Sequence, residues 1–219
     1  MNRIELVERE RRAEAERASL LHAALEVFTE RGYRDATISD VLKRAELTSA
    51  SFYRHFGDKQ GLFLALIGDC AEPLLIDIER RRREAKGLAE FVEVICQTYF
   101  EFVVQQSVIR HFLVTHREEM RAILELPALR WAFDELQRDI SEGVSTGRFP
   151  DVDPEFLTAS IVGVSFEMGL RLAARTDPSV PGAVAFASNV IVAGVERMPT
   201  RASTESRRTL VRPLLAASL

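Results

Sequence analysis

Apolar positions recur along most of this chain with the 3.6-residue period of an amphipathic helix, and no segment competes convincingly with the two-residue alternation of a half-buried strand. Between Arg11 and Arg31, Ala13, Ala18, Leu21, Ala24, Leu25 and Phe28 share one face and charges take the other. Gly32 closes the run, so the pattern predicts a first helix over 11–31. Thr37 opens TISD, a polar cap with a carboxylate three residues on, and predicts a short helix over 38–45. Glu46 and Leu47 leave only a brief break before Thr48, a second cap, opens a third helix that ends near Phe56. Asp58 caps a fourth helix carrying Leu62, Phe63, Leu66, Ile67, Leu74, Leu75 and Ile78 towards Arg80, with a kink or break predicted at Pro73 and an end at Gly87. Further helices are predicted over 88–105, 108–124, 127–147, 154–175 and 182–198, and Pro127, Pro154 and Pro181 sit at or near first-turn positions. VIVAG at 190–194 has the composition of a strand, but helical neighbours outweigh it. The expected fold class is all-α with about nine helices. Residues 1–60 form a three-helix helix-turn-helix domain, 61–198 a helical bundle, and 199–219 a polar, basic, loosely ordered tail.

Composition narrows the function classes. A hydrophobic content of 47% suffices for a real core, but a net charge of −4 and a pI near 5.7 lack the basic surplus that usually marks nucleic-acid binding. Any case for DNA must therefore come from pattern. The first 60 residues balance their charges, and the acidity lies in the remainder. Cys70 and Cys96 stand apart with no CxxC or His-rich context, as expected of buried thiols in a reducing cytoplasm rather than a disulfide scaffold or zinc site. The charged N-terminus has no apolar signal region, and the longest apolar run, 180–195, is short for a membrane span. The expected protein is soluble and cytoplasmic, with no cofactor, no metal and no membrane partner. His111 and His116 are five apart, about 140° around a helix, which makes shared metal ligation awkward. No GxSxG, HExxH or phosphate-cradling glycine loop occurs. A helical metal-dependent enzyme is the remote alternative, and a protein-docking bundle is a second rival.

The segment LTSASFYRHFGDKQGLF, 47–63, concentrates the candidate chemistry. Two short helices around a tight turn make a helix-turn-helix, whose second helix can enter a major groove. Phe52 and Phe56 are four apart and are expected to pack inward, leaving Ser49, Ala50, Ser51, Tyr53, Arg54 and His55 outward. Small hydroxyl residues allow close approach to base edges, Arg54 suits guanine or phosphate, and Tyr53 and His55 suit phosphate oxygens. Lys59 is a cation in a helix's first turn, opposed to the dipole, which makes more sense with a phosphate nearby. The plainer alternative is an amphipathic surface with snorkelling side chains.

The run ALEVFTERGYRDATISDVLKRAEL followed by TSASFYRHFGDKQGLFLAL resembles the DNA-binding domain of TetR-family transcriptional repressors, from about Arg12 to Leu66. Ala24, Phe28, Gly32, Thr37, Ile38, Val41, Ala45, Tyr53, Phe56, Lys59 and Leu62 sit where that family places such residues. The resemblance implies phosphate contacts for Thr37, Thr48, Tyr53, His55 and Lys59, and base contacts for Ser49, Ala50, Ser51 and Arg54. Glu46 departs from the family's usual turn glycine and would cost about 1 kcal/mol if the turn needs φ > 0.

Beyond residue 60, the predicted helix from Pro154 is apolar on two faces, one of them Phe156, Ile161, Val164 and Met168. The last helix is almost wholly apolar, with Phe186, Val190, Ala193 and Val195. Two greasy faces need two partners, so a two-fold homodimer built from these helices is expected, as the family resemblance also implies. The resemblance further implies an internal effector cavity. Its candidate lining is Phe100, Phe112, His116, Trp131, Phe133, Phe166 and Glu167, although aromatics at helical spacing are usually core. The hexapeptide SFYRHF is similar to that of the branch repressing unsaturated fatty acid synthesis, whose effectors are acyl-CoA thioesters. The implied function is thus a dimeric repressor that binds a near-palindromic double-stranded DNA operator and answers to a hydrophobic small molecule. Acyl-CoA is one class of effector; drugs or aromatic compounds are the alternative.

Overall fold

The computed structural model describes residues 3–115, 124 and 126–198. Its helices in chain order are α1 (Arg3–Asp35), α2 (Ile38–Ala45), α3 (Ser49–His55), α4 (Lys59–Arg83), α5 (Leu88–Gln105), α6 (Ser107–Thr115), α7 (Pro127–Ser145), α8 (Pro154–Ala173) and α9 (Val180–Glu196). No strand occurs among the described residues, so 190–194 is helical. The sequence expectations for the later part of 108–124, for His116 and for the tail 199–219 lie outside the described residues.

Local chemistry accounts for most element boundaries. α1 begins at Arg3 rather than Arg11, because the charged stretch before Arg11 contains no breaker and helix-favouring Glu and Arg prevail. Gly32 takes φ 77° and ψ 158°, a left-handed conformation that interrupts the helical backbone. Thr37 and Asp40 form a reciprocal capping box: the Asp40 N–H donates to Thr37 Oγ1 at 3.1 Å and the Thr37 N–H donates to Asp40 Oδ2 at 3.0 Å. Glu46 ends α2 at φ 55° and ψ 37°, so the turn does demand the left-handed region that a glycine would occupy without strain. Thr48 caps α3, and the carboxylate of Asp58 accepts from the Gly61 N–H at 2.7 Å near the start of α4. α4 runs through Pro73 without the expected break.

Two compact units emerge, one of residues 1–73 and 106–128, the other of 74–105 and 129–219. The expected boundary at residue 60 falls inside the first unit, because Phe63 of α4 and Phe112 of α6 pack with Phe28 of α1. Their ring centroids lie 5.4 to 6.5 Å apart in edge-on geometry. All three rings are fully buried, each contributing roughly 1.5–3 kcal/mol of burial. The second unit buries Phe91, Phe100, Ile140 and Ile161 together in one core. By length and composition α8 could cross a membrane, with a mean hydropathy of 1.4. Its Leu157, Ile161 and Leu172 belong to the second core instead, which accounts for much of that apolarity.

Candidate nucleic-acid interface

α3 has an inner and an outer face. Phe52 and Phe56 are 0% and 6% exposed, as their spacing predicts, and anchor the helix. Ser49, Ala50, Tyr53 and Arg54 are exposed on the other side, with Tyr53 at 61%. The anchored helix and its exposed residues form one short, outward probe whose N-terminus carries small side chains. Arg54 is not free: its Nη1 donates to Glu16 Oε2 at 2.9 Å, and Arg12 Nε lies 3.4 Å from the other oxygen of that carboxylate. Glu16 is only 12% exposed in its side chain, so it fixes the guanidinium from behind.

Three expected contacts are placed differently. Ser51 is buried, its N–H donating to Thr48 Oγ1 at 3.3 Å and its hydroxyl 3.3 Å from the same oxygen. Helical geometry turns it towards α3's own cap instead of outward. His55, with its side chain 10% exposed, faces Glu16, and Nε2 lies 3.7 Å from Oε2 with no hydrogen-bond partner. Lys59 resolves the dipole oddity in another way. Its Nζ donates to the carbonyls of Tyr33, Arg34 and Ala36 at 2.8, 3.3 and 3.0 Å and sits 4.5 Å over the Tyr33 ring. The ammonium opposed to α4's N-terminus therefore serves α1's C-terminal carbonyls, where a cation is favoured, and all three of its donors are engaged. Thr37 and Thr48 are exposed but spend their hydroxyls on caps.

Across the back of the motif, Arg44 of α2 bonds Glu26 at 3.0 Å and Glu30 at 2.7 Å, and Arg31 bonds Asp40 at 2.9 Å. The Arg44 contact holds the Glu30 carboxyl below its ordinary value. Hydrogen bonds from the Thr37 hydroxyl and amide do the same for Asp40. None of the carboxylates in these pairs is on α3.

The described candidate effector residues are divided between the two units. Phe112 is part of the first unit's aromatic core with Phe28 and Phe63, whereas Phe100 lies in the core of the second. Trp131 is 54% exposed, Phe133 and Phe166 are half-buried, and Glu167 is exposed and paired with Arg171 at 2.9 Å. The dimer stripe also shifts in phase. Ile161 and Val195, expected at an interface, are core residues at 0% and 7% exposure. Phe156, Phe186 and Val190 are 71%, 64% and 51% exposed, and Val164, Met168 and Ala193 are half-buried. The shift follows from α8 directing Thr158 and Ser165 inward and Phe156 outward, against the hydropathy ranking. Cys96 is buried and Cys70 half-buried, both free, and burial raises both thiols. No group of three His, Cys, Asp or Glu converges as metal ligands among the described residues.

An all-helical chain whose capped α3 projects small, aromatic and cationic side chains defines the class of helix-turn-helix proteins. Residues 20–66 match the sequence profile of the bacterial regulatory proteins, tetR family. The HTH-type transcriptional repressor DhaR of a Mycobacterium species is 29% identical over 173 residues, which are 71% of this chain and 83% of that protein. The HTH-type transcriptional activator FasR of Mycolicibacterium smegmatis is 29% identical over 91 residues, 42% of each chain. This chain thus spans less than half the length of some curated relatives it matches. Among solved structures, the transcriptional regulator FadR from Bacillus subtilis in complex with stearoyl-CoA has a TM-score of 0.63 at 18% identity. That match covers 83% of this chain and 99% of the other, and it shows a shared fold.

Proposed function

We propose that this chain is a ligand-responsive, DNA-binding transcriptional regulator that reads a near-palindromic operator as a homodimer. The observation that carries the reading is α3: two buried phenylalanines hold it while Ser49, Ala50, Tyr53 and Arg54 stand exposed together. Arg54 is the group suited to a guanine edge, Tyr53 and the Thr48 region to phosphates, and Ser49 and Ala50 to close approach. Ser51, His55 and Lys59 act in this reading as supports. A protein with this task works in the cytoplasm, where the operator is.

Repression is favoured by the longer-spanning relative, DhaR, which is named a repressor. A fatty acyl-CoA is the favoured effector class, supported by the SFYRHF hexapeptide and by stearoyl-CoA in the Bacillus subtilis FadR of the same fold. The dimer reading is supported by the exposed Phe156, Phe186 and Val190 of α8 and α9, helices that also expose the small Ala159, Gly163 and Gly194. Electrophoretic shift of the gene's own upstream duplex tests the central claim. The wild-type chain is expected to shift it at low salt, Arg54→Ala to lose discrimination against unrelated duplex, and added acyl-CoA to change the shift. Failure to retain any duplex at low salt would overturn the reading.

A further inference from the structure

α4 closes with four consecutive arginines, and three of them are held on their own helix. Arg80 and Arg81 pair with Asp77 at 2.5 and 2.9 Å, and Arg83 with Glu79 at 2.6 Å. Arg82 turns the other way. It is 3% exposed, its Nε donates to Asp139 Oδ2 of α7 at 2.7 Å, and its Nη2 is buried with no partner. A guanidinium has five N–H donors, and Arg82 spends only its Nε on a protein acceptor, Asp139.

Arg82 lines a half-open cavity of about 570 Å³. Arg148 contributes a second guanidinium to the same wall. It donates to the Ala85 carbonyl at 3.3 Å and lies 4.6 Å over the Phe149 ring, with no carboxylate bonded to it. Arg138 is engaged by Glu135 and Arg82 by Asp139, which leaves Glu142 as the lining carboxylate without a cation on it. The donors of Arg82 and Arg148 therefore outnumber the acceptors offered to them. The lining is mostly charged, unlike the apolar walls a fatty chain needs, so this cavity differs in kind from a hydrophobic effector pocket.

We infer that this cavity binds a small phosphorylated molecule, its phosphate taking N–H donors from Arg82 and Arg148 and its polar remainder filling the space beside Thr146. Planar guanidinium groups suit the tetrahedral oxyanion by paired N–H donation, and stacking on Phe149 holds Arg148 in place for it. The volume lies within the range of small-molecule sites and exceeds what inorganic phosphate alone would fill. Because Thr146 Oγ1 already donates to the Glu142 carbonyl at 2.8 Å, it is left to accept, which suits a sugar hydroxyl. Glu142 sets a limit on affinity through its like charge. The inference stands apart from the DNA-binding reading and does not require it.

Isothermal titration of the full chain with ribose 5-phosphate, inorganic phosphate and ribose separates the possibilities, and the unliganded melting temperature of each variant reports its folding. Saturable binding of ribose 5-phosphate, tighter than phosphate and absent for ribose, is expected. Arg148→Gln should weaken it about tenfold, and Glu142→Gln should tighten it roughly threefold by removing a like charge. Binding unchanged in Arg148→Gln, or no saturation by either phosphate compound, would overturn the site. Inorganic phosphate binding as tightly as the ester would overturn the assignment to a phosphorylated small molecule.

Discussion

At the residue scale, the division of labour between Lys59 and Arg54 is open to measurement. Lys59→Met removes three charge-assisted hydrogen bonds to the end of α1 and should destabilise the protein by about 2–3 kcal/mol in urea titrations. The slope of log binding constant against log salt should stay as in wild type, since no phosphate contact is lost. A slope flatter by about one unit would return Lys59 to the phosphates. Glu16→Gln tests the opposite kind of residue. Without its charge, Arg54 loses its 2.9 Å ion pair and samples more rotamers. Affinity for unrelated duplex should rise as a negative charge leaves the interface, while discrimination between the operator and that duplex should fall by about tenfold. Retained discrimination would mean that Arg54 does not read bases. The contacts of these two residues were invisible in the sequence because they are long-range. Lys59 meets carbonyls 23 to 26 positions away, and Arg54 meets a carboxylate 38 positions away on a helix that reads as a solvated charged face.

At the element scale, the chain's most legible features were those decided within four residues. TISD announced a capping box and the structure contains it, and the Phe52/Phe56 spacing announced the inner face of α3. Capping depends on neighbours in sequence, whereas the phase of α8 depends on which tertiary partner competes for each face; Ile161 and Phe156 could be exchanged by hydropathy but not by packing. The same local logic makes two predictions. Asp40 has a folded value below its ordinary 3.8, so its contribution is present above the unfolded value and is lost as pH falls through the folded one. Stability measured from about pH 5 down to pH 2 should therefore fall less steeply in Asp40→Asn than in wild type, and equal slopes would remove Asp40 from the acid response. Glu46→Gly relieves a left-handed residue at φ 55°, and despite the added freedom of the unfolded chain it should stabilise the protein by about 0.5–1 kcal/mol in a denaturant titration. A loss of stability there would mean that the Glu46 side chain contributes more than its backbone costs.

At the scale of the whole molecule, two facts bear on assembly: α3 is too short to read more than a few base pairs, and α8 and α9 each expose large apolar side chains. A seven-residue helix offers four exposed side chains to a groove, which by itself supports little discrimination in a genome. Two copies joined by a two-fold axis read two half-sites, and the second contact becomes intramolecular once the first has formed. In the proposed dimer the outward Phe156, Phe186 and Val190 would supply the surface for such a pair, and leaving three large apolar side chains more than half in water would be unusual for a helix pair with no partner. Phe186→Glu places like charges against each other across the axis and costs each subunit little, because that side chain is 64% exposed within its own chain. Light scattering should therefore give half the wild-type mass with an unchanged helical circular dichroism spectrum. Affinity for the full operator should drop to that for a single half-site, a loss of at least a hundredfold. A variant that stays dimeric would move the interface elsewhere, and one that becomes monomeric yet keeps full operator affinity would show that a single α3 suffices.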